Sequence, residues 1–268
     1  MSDYSQYLDF TRELAFESGK VLNNHFGNID LIDKKSTSID LVTKADLDSE
    51  QTLIQAIQKK YPSHSIITEE SDLKEKNSDF RWVIDPLDGT TNFVHNLPIF
   101  AISIGLQYKQ KTILGVVYNP AADKMFYASI NNGAYLNEKP INVSLSNTLS
   151  DSLIVTGFPY LQDERWELSF DIFKTIYSKT RGIRRLGAAA LDLCFVAMGR
   201  FEGFYEFNLK PWDICAGSII AKEAGALVTD WNNKELPFSG ERILAGNKKI
   251  HEELTNILSD HKFKLFYN

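Results

Sequence analysis

The 268-residue sequence is poor in the residues that define several classes of protein. It has only two cysteines, Cys194 and Cys215, which stand in apolar helical patterns and do not form a zinc motif, so we expect reduced thiols in the core. No apolar run approaches the roughly 20 residues that span a bilayer. The first residues also lack the basic and apolar parts of a signal peptide. We therefore expect a soluble, cytoplasmic protein that does not insert into a membrane.

An excess of positive charge is also missing. The chain has 29 Lys and Arg residues against 35 Asp and Glu residues, which gives a net charge of −6. Proteins that bind nucleic acid directly usually carry a basic face, so this balance argues against direct DNA or RNA binding. A small anionic substrate is still compatible with it, because a bound metal ion can reverse the local sign of charge.

The elements that the sequence does contain follow one another without repeats, low-complexity segments or flexible linkers. Apolar residues at helical spacing predict helices over 4–26 and 44–60. From Ser65 to about Leu136, short β-rich runs separated by turns predict an antiparallel sheet. Strands and helices then alternate, with helices predicted over 163–179, 187–199, 212–225 and 247–259. This order predicts a layered α+β (mixed α/β) fold in one catalytic domain spanning 1–268, with two lobes, about 1–140 and 141–268, around a cleft.

Acidic residues stand at the ends of several predicted elements. Glu69 and Glu70 close one strand, Asp46 begins the second helix, and Asp213 begins a later one. Any one of them alone is more often a helix cap or a turn residue than a ligand. Their position at element ends nevertheless lets polar side chains converge on a cleft.

The pair Asp85 and Asp88 is harder to explain by capping. Pro86 fixes the backbone between them and Gly89 permits a sharp turn after them, so the two carboxylates can converge on one point. They then repel each other or share a proton unless a cation lies between them. The five histidines show no paired ligand spacing, and carboxylate oxygens suit Mg²⁺ or Mn²⁺ rather than zinc.

The residues that follow the pair have two open interpretations. If a helix starts near Gly89, its first amides can receive a phosphate group, and the Thr90 hydroxyl can orient a water. Plain N-capping by the same residues is an equal alternative.

Five segments together resemble the inositol monophosphatase family of Mg²⁺-dependent, lithium-sensitive phosphatases. They are "WVIDPLDGTTNFVH" (82–95), "WDICAGSIIAKEAGA" (212–226), "DLVTKAD" (40–46), the pair Glu69–Glu70, and "IRRLGAAALDL" (183–193). The resemblance spans nearly the whole chain. It implies a layered α-β-α-β-α sandwich, commonly in a homodimer, and a phosphatase with two or three Mg²⁺ ions, for which Mn²⁺ can substitute.

The resemblance also implies a role for each matching residue. The metal ligands would be Glu69, Asp85, the Leu87 carbonyl, Asp88 and Asp213. The residues that position and deprotonate the attacking water would be Glu69, Thr90 and Asp46. The phosphate would meet the amides of Gly89 and Thr90, and the substrate alcohol would meet Glu206, Gly187, Ala188 and Ala189. Lys35 matches a lysine of a mobile loop near the metals.

Two departures from the family pattern bear on the substrate. Thr68 stands where many relatives have glycine, and the segment between Ser71 and Trp82 is short, which leaves room for a bulkier phosphate. We expect a small phosphorylated polyol, sugar or nucleotide, with inositol monophosphate first. The alternatives are the 2′-phosphate of NADP, fructose 1,6-bisphosphate and 3′-phosphoadenosine 5′-phosphate. A non-enzymatic partner of the transcription machinery is a further alternative, although the complete set of acidic residues favours an enzyme.

Overall fold

The computed structural model describes residues 4–28, 31–34, 41–73, 76–159, 163–260 and 262–263, with the backbone alone for 31–34 and Leu41. The helices of this described part are α1 (Ser5–His25), α2 (Lys44–Lys60), α3 (Thr90–Val94), α4 (Glu164–Tyr177), α5 (Ala189–Ala197), α6 (Pro211–Glu223) and α7 (Lys248–Leu258). None of them is long and apolar enough to cross a membrane.

The strands of the described residues form two large sheets and one small two-stranded sheet, called the hairpin below for its antiparallel pairing alone. The hairpin pairs β1 (Leu31–Lys34) with β2 (Leu41–Thr43). The first large sheet follows chain order: β3 (Ser65–Thr68), β4 (Phe80–Asp88), β5 (Ala101–Tyr108), β6 (Lys111–Asn119), β7 (Lys124–Ser129), β8 (Ala134–Leu136) and β9 (Lys139–Ile141). The second has the order β11-β10-β12-β14-β13, with β10 (Leu153–Thr156), β11 (Gly182–Arg184), β12 (Gly203–Phe207), β13 (Leu227–Thr229) and β14 (Arg242–Gly246).

These elements stack in five layers. Helices α1 and α2 pack on the outer face of the seven-stranded sheet, α5 and α6 lie between the two sheets, and α4 and α7 cover the other face of the five-stranded sheet. The position of each helix follows from its sequence, since α5 and α6 are apolar on nearly every side whereas α1 and α7 have a polar face. The expected α-β-α-β-α sandwich is therefore confirmed.

A separate hydrophobic cluster holds each interface together. Leu53 and Trp82 belong to the cluster between α1, α2 and the seven-stranded sheet. Leu191 and Ile220 belong to the central cluster, and Leu254 to the outer one. Cys194 and Cys215 are both buried and free, as expected.

The helices and strands foreseen from the sequence are present, with small shifts at their ends. The 31–34 and 41–43 hairpin and strand β9 were not foreseen, because they are three or four residues long and partly polar. The expectation of a purely antiparallel sheet from Ser65 onward is wrong at one place: β3 and β4 run parallel. The two strands are joined by residues 69–79 rather than by a short turn, and a longer connection of this kind permits parallel pairing.

Candidate active site

A β-bulge in β4 places Asp85 and Asp88 on the same face of the sheet. Side chains alternate along a strand, so residues three apart would otherwise point to opposite faces. Asp85 lies opposite Ser103 and Asp88 opposite Ala101, so β4 has one residue more than β5 over this stretch. The extra residue restores the alternation and directs both carboxylates toward α6.

The neighbouring residues confirm which face this is. Trp82, Ile84 and Leu87 belong to the cluster beneath α1 and α2, on the opposite side of the sheet. On β5, the Ser103 hydroxyl donates to the Trp212 carbonyl of α6 at 3.2 Å. The acidic pair therefore points into the centre of the sandwich, toward the start of α6.

Both carboxylates are almost fully buried, with exposed fractions of 2% for Asp85 and 8% for Asp88. Burial raises the pKa of Asp85 well above its usual value, and the nearby Glu69, Asp88 and Asp213 carboxylates raise it further. Burial also raises the pKa of Asp88, although a hydrogen bond from the Ala190 amide, at 2.8 Å, acts the other way. Ionising this group of acids together is therefore unfavourable without a cation.

The parallel pairing of β3 and β4 brings Glu69 to the same place. Thr68 lies opposite Ile84, so Glu69, directly after β3, comes close to Asp85 of β4, and its charge raises the pKa of Asp85. Glu69 lines the same pocket as Asp85.

Asp213 reaches the site from the first turn of α6. Pro211 starts this helix, and one Asp213 oxygen accepts the Lys210 amide at 2.6 Å. Burial raises the pKa of Asp213 well above its usual value, and Glu69 raises it further, although part of the side chain stays open to the pocket. Asp213 is thus both a helix cap and a pocket residue, so the two interpretations of its sequence position are compatible.

Gly89 starts α3 in a conformation that only glycine adopts easily, with φ 91° and ψ 35°. A Cβ here would also lie 2.9 Å from the Ile99 carbonyl oxygen. The sharp turn lets the helix begin directly after Asp88, and Gly89 and Thr90 line the pocket.

The Thr90 hydroxyl lies between two acceptors. Its Oγ1 is 3.0 Å from Asp46 Oδ1 and 3.1 Å from the Leu87 carbonyl oxygen. Asp46 is itself held in the first turn of α2, where its other oxygen accepts from the Thr43 amide at 2.7 Å and the Thr43 hydroxyl at 2.6 Å. Burial raises the pKa of Asp46 to about 6, although the Thr43 and Thr90 hydrogen bonds oppose this.

One cavity of about 510 Å³ is lined on this side by Glu69, Asp85, Leu87, Asp88, Gly89, Thr90 and Asp213. Its opposite wall comes from the second half of the chain and includes Glu206, Gly187, Ala188 and Ala189. Burial raises the pKa of Glu206 to about 8, with Arg185 acting to lower it. The structure thus brings together every candidate site residue except two: Asp46 lies behind Thr90, and Lys35 lies outside the described residues.

Sequence reasoning missed part of this wall. Arg185 lines the cavity and lies inside the quoted motif 183–193, yet nothing in the pattern distinguished it from the neighbouring Arg184, which is not among the lining residues. Gly157 and Phe158 follow β10 and also line the cavity. A glycine immediately after a strand, as in "LIVTG", was the available signal for a close approach at this position.

The donors of this site suit a magnesium ion. They are carboxylate and carbonyl oxygens, and the acids among them have pKa values raised by burial and mutual repulsion. Among the described residues, no three His, Cys, Asp or Glu side chains already surround a single point. The acids therefore line the pocket without forming a closed cage.

Comparison with known proteins agrees with the resemblance seen in the motifs. The profile of the inositol monophosphatase family matches residues 3–262. The chain belongs to the inositol monophosphatase family. The named family signatures are thus part of a match over nearly the whole length.

Three curated relatives carry different names. The chain is 40% identical over 259 residues to an "Inositol-1-monophosphatase" of a Synechocystis species, covering 96% of this chain and 90% of that protein. It is 41% identical over 257 residues to a "Putative Nus factor SuhB" of Neisseria meningitidis serogroup B, covering 95% and 98%. It is 38% identical over 259 residues to a "Fructose-1,6-bisphosphatase/inositol-1-monophosphatase" of Aquifex aeolicus, covering 96% and 97%.

Solved structures of the family have the same fold. The extragenic suppressor protein suhB of Bartonella henselae superimposes with a TM-score of 0.90 at 35% identity, covering 96% of this chain and 99% of that one. The inositol monophosphatase of Anabaena superimposes with a TM-score of 0.85 at 38% identity, covering 96% of each chain, so the five-layer architecture is that of a solved inositol monophosphatase.

Proposed function

We propose that this protein is a Mg²⁺-dependent phosphomonoesterase that hydrolyses inositol monophosphate to inositol and phosphate. The β4 bulge carries the proposal, because it directs Asp85 and Asp88 into a cavity that Glu69 and Asp213 also line. Membership of the inositol monophosphatase family supports the same chemistry.

Magnesium would be held by Glu69, Asp85, the Leu87 carbonyl, Asp88 and Asp213. When bound, Mg²⁺ neutralises phosphate charge, makes an attacking water more acidic and supports an in-line displacement. Two or three ions fit this number of donors, and Mn²⁺ can take the same oxygen ligands.

Thr90 and Asp46 would orient the attacking water. Thr90 has one hydroxyl proton, so donation to Asp46 leaves its oxygen lone pairs to accept a hydrogen bond from water. Glu69, beside Asp85, would accept the water proton. Because water is the nucleophile, this reaction needs no covalent enzyme intermediate.

The two halves of the cavity would divide the substrate between them. The amides of Gly89 and Thr90 would receive phosphate oxygens at the start of α3. Glu206 would hydrogen-bond a hydroxyl of the alcohol, and Gly187, Ala188 and Ala189 would line the space around its ring.

A broader substrate range has one specific observation in its favour. The Arg185 side chain lies in the alcohol half of the cavity and provides a positive charge there. A relative named as both a fructose bisphosphatase and an inositol monophosphatase is 38% identical. Fructose 1,6-bisphosphate is therefore the first alternative, followed by NADP and 3′-phosphoadenosine 5′-phosphate.

A role in transcription is the second candidate function, since one relative is named a putative Nus factor. The chain has a net charge of −6, so such a role would go through a protein partner rather than direct nucleic-acid binding. A homodimer located in the cytoplasm would be compatible with both functions, and light scattering measures the oligomeric state.

Phosphate release from a substrate panel tests the proposal. The panel contains inositol 1-phosphate, fructose 1,6-bisphosphate, NADP and 3′-phosphoadenosine 5′-phosphate, each with Mg²⁺ and with excess chelator. We expect the highest kcat/KM on inositol 1-phosphate, inhibition by lithium, and no activity in chelator. Asp85→Asn and Asp213→Asn are expected to abolish turnover. Unchanged turnover in chelator would refute the metal mechanism, and no turnover of any substrate would favour the transcription role.

A further inference from the structure

We propose that Ser49 and Glu50 of α2 are positioning residues that fix the two ligand-bearing segments of the site from outside the cavity. This inference rests on the proposed metal-dependent function. Neither residue lines the cavity, and both are buried, with exposed fractions of 0% for Ser49 and 4% for Glu50. Their role therefore has to pass through the backbone of other residues.

Glu50 holds the chain on both sides of Glu69. Its Oε1 accepts from the Thr68 hydroxyl at 2.7 Å and from the Glu70 amide at 3.1 Å, and its Oε2 accepts from the Ser71 hydroxyl. The end of β3 has left its sheet ladder at this point, so these bonds decide where the Glu69 backbone lies. Thr68, the residue that departs from the family pattern, supplies the buried hydroxyl.

Ser49 holds the bulge that carries the acidic pair. Its hydroxyl donates to the Pro86 carbonyl at 2.8 Å, and Ser18 of α1 contacts the same hydroxyl at 2.7 Å. A bulge leaves its extra residue outside the regular ladder, so the Pro86 carbonyl needs another hydrogen-bond donor. The Ser49 side chain of α2 provides it. The bond fixes the peptide between Asp85 and Leu87.

Helical geometry explains why one helix can hold both segments. Residues 46, 49 and 50 are spaced i, i+3 and i+4, so they share one face of α2. Asp46 on that face contacts Thr90, Ser49 contacts Pro86, and Glu50 contacts the segment after Thr68. This face thus connects to each segment of the first half that contributes to the acidic site.

Because the acids do not already surround a single point, metal affinity depends on how accurately their backbones are placed. Loss of groups that orient metal ligands typically weakens metal binding by about 10- to 100-fold. We therefore expect Glu50→Ala and Ser49→Ala each to weaken Mn²⁺ binding about tenfold. Glu50→Gln keeps the side-chain length and one acceptor oxygen, and the Ser71 hydroxyl can accept from its amide, so this variant is expected to restore most of the affinity.

Glu223 provides a matched control. Its carboxylate accepts the Asn131 and Gly133 amides, each at 2.9 Å, and so fixes a turn between β7 and β8 away from the cavity. Glu223→Ala removes the same kind of support and is expected to leave Mn²⁺ affinity unchanged.

The experiment measures Mn²⁺ binding by isothermal titration calorimetry on the full chain, with thermal unfolding in chelator to compare stability. The proposal is supported if Glu50→Ala and Ser49→Ala bind Mn²⁺ about tenfold more weakly at a stability no lower than that of Glu223→Ala. It is overturned if their affinities match that of the unsubstituted protein, or if Glu223→Ala loses as much. Should Glu50→Ala not fold, Thr68→Val, which removes one hydroxyl at nearly constant shape, and Ser49→Ala decide the outcome.

This readout separates the inference from the proposed function. If the protein binds Mn²⁺ but releases no phosphate, the proposed phosphatase activity is disproved, and the Mn²⁺ affinities of the variants still test the positioning role. A protein that binds no Mn²⁺ would overturn the positioning role.

Discussion

At the scale of single residues, the site depends on how closely Glu206 approaches the backbone of Gly157. A Cβ at position 157 would overlap with the Glu206 carboxylate. The absence of a side chain at Gly157, directly after β10, therefore leaves room for the Glu206 side chain of β12. If Glu206 binds the substrate as proposed, a residue without a side chain therefore controls substrate recognition.

The substitution Gly157→Ala tests this dependence. Displacing Glu206 removes a hydrogen bond to the substrate alcohol, so we expect KM for inositol 1-phosphate to rise about tenfold, equal to roughly 1.4 kcal/mol. The measurement is steady-state kinetics on two substrates, inositol 1-phosphate and p-nitrophenyl phosphate. The leaving group of the second has no alcohol hydroxyl for Glu206 to bind. The aromatic ester is expected to react as before, and an equal loss on both substrates would contradict the specific role of Glu206.

The raised pKa of Glu206 makes a prediction about pH. Its pKa of about 8 in the folded state exceeds the usual 4.5, so folding takes up a proton between these values. The contribution of Glu206 to stability is then present below pH 4.5 and is lost as the pH rises toward 8. Glu206→Gln stays neutral, so its stability relative to the unsubstituted protein is expected to rise by at least about 1 kcal/mol from pH 5 to pH 8. Urea unfolding in chelator measures it, and a constant difference would contradict it.

The positions of cavity residues were predictable from the sequence only where a motif carried them. Asp85, Asp88 and Asp213 stand in long signatures, and the structure brings all three to one cavity. Arg185 was not predicted as a site residue, because it stands beside Arg184 in the sequence and the residue type does not show in which direction each side chain points. That direction is decided by packing rather than by residue type.

At the scale of elements, four helices begin around the cavity, namely α2, α3, α5 and α6. Asp46 and Asp213 lie in the first turns of α2 and α6, and Asp88 accepts an amide from the first turn of α5. The positive ends of these helices partly offset the negative charge of the acids. Each of these acids uses one oxygen for the protein backbone, which holds its carboxylate in a defined orientation.

A pair of substitutions at Asp88 separates the charge from the cap. Asp88→Asn and Asp88→Ala both remove the charge, so both are expected to abolish Mg²⁺-dependent turnover. Only Asp88→Asn keeps an oxygen that can accept from the Ala190 amide, which donates to Asp88 Oδ2 at 2.8 Å. We expect Asp88→Ala to be about 1 kcal/mol less stable than Asp88→Asn, the usual value of an N-cap. Urea unfolding in chelator compares the two, and equal stabilities would refute the capping role.

For the strands that were recognised, the sequence did not predict how they pair, because pairing depends on the path of the chain and not on the residue pattern. The runs 65–68 and 80–84 were recognised as strands, but their parallel pairing depends on the path of the loop between them. The bulge at Pro86 was foreseen as a turn, and only its register against β5 shows that the strand continues through it.

At the scale of the whole molecule, the cavity is built from both halves of the chain. The Ala190 amide of α5 reaches Asp88 of β4, and the Asn92 amide nitrogen donates to the Leu186 carbonyl at 2.8 Å. Occupation of the site by a cation is therefore expected to stabilise the entire chain rather than one part of it. The division into two lobes stays a prediction.

Mg²⁺ is expected to raise the melting temperature more at pH 8 than at pH 6. The raised pKa values of Asp85, Asp88 and Asp213 mean that binding a cation displaces protons, which is easier at higher pH. Differential scanning fluorimetry with increasing Mg²⁺ at both pH values makes the measurement. Asp213→Asn serves as the control with a reduced shift, and an equal shift at both pH values would contradict the prediction.

The bulge in β4 also decides which changes in chain length the site tolerates. Removing one residue between Asp85 and Asp88, or adding one, would turn a carboxylate to the face beneath α1 and α2, among Trp82, Ile84 and Leu87. Insertions and deletions are thus incompatible with the stretch of β4 between Asp85 and Asp88, because either change would separate the two carboxylates that the bulge brings to one face.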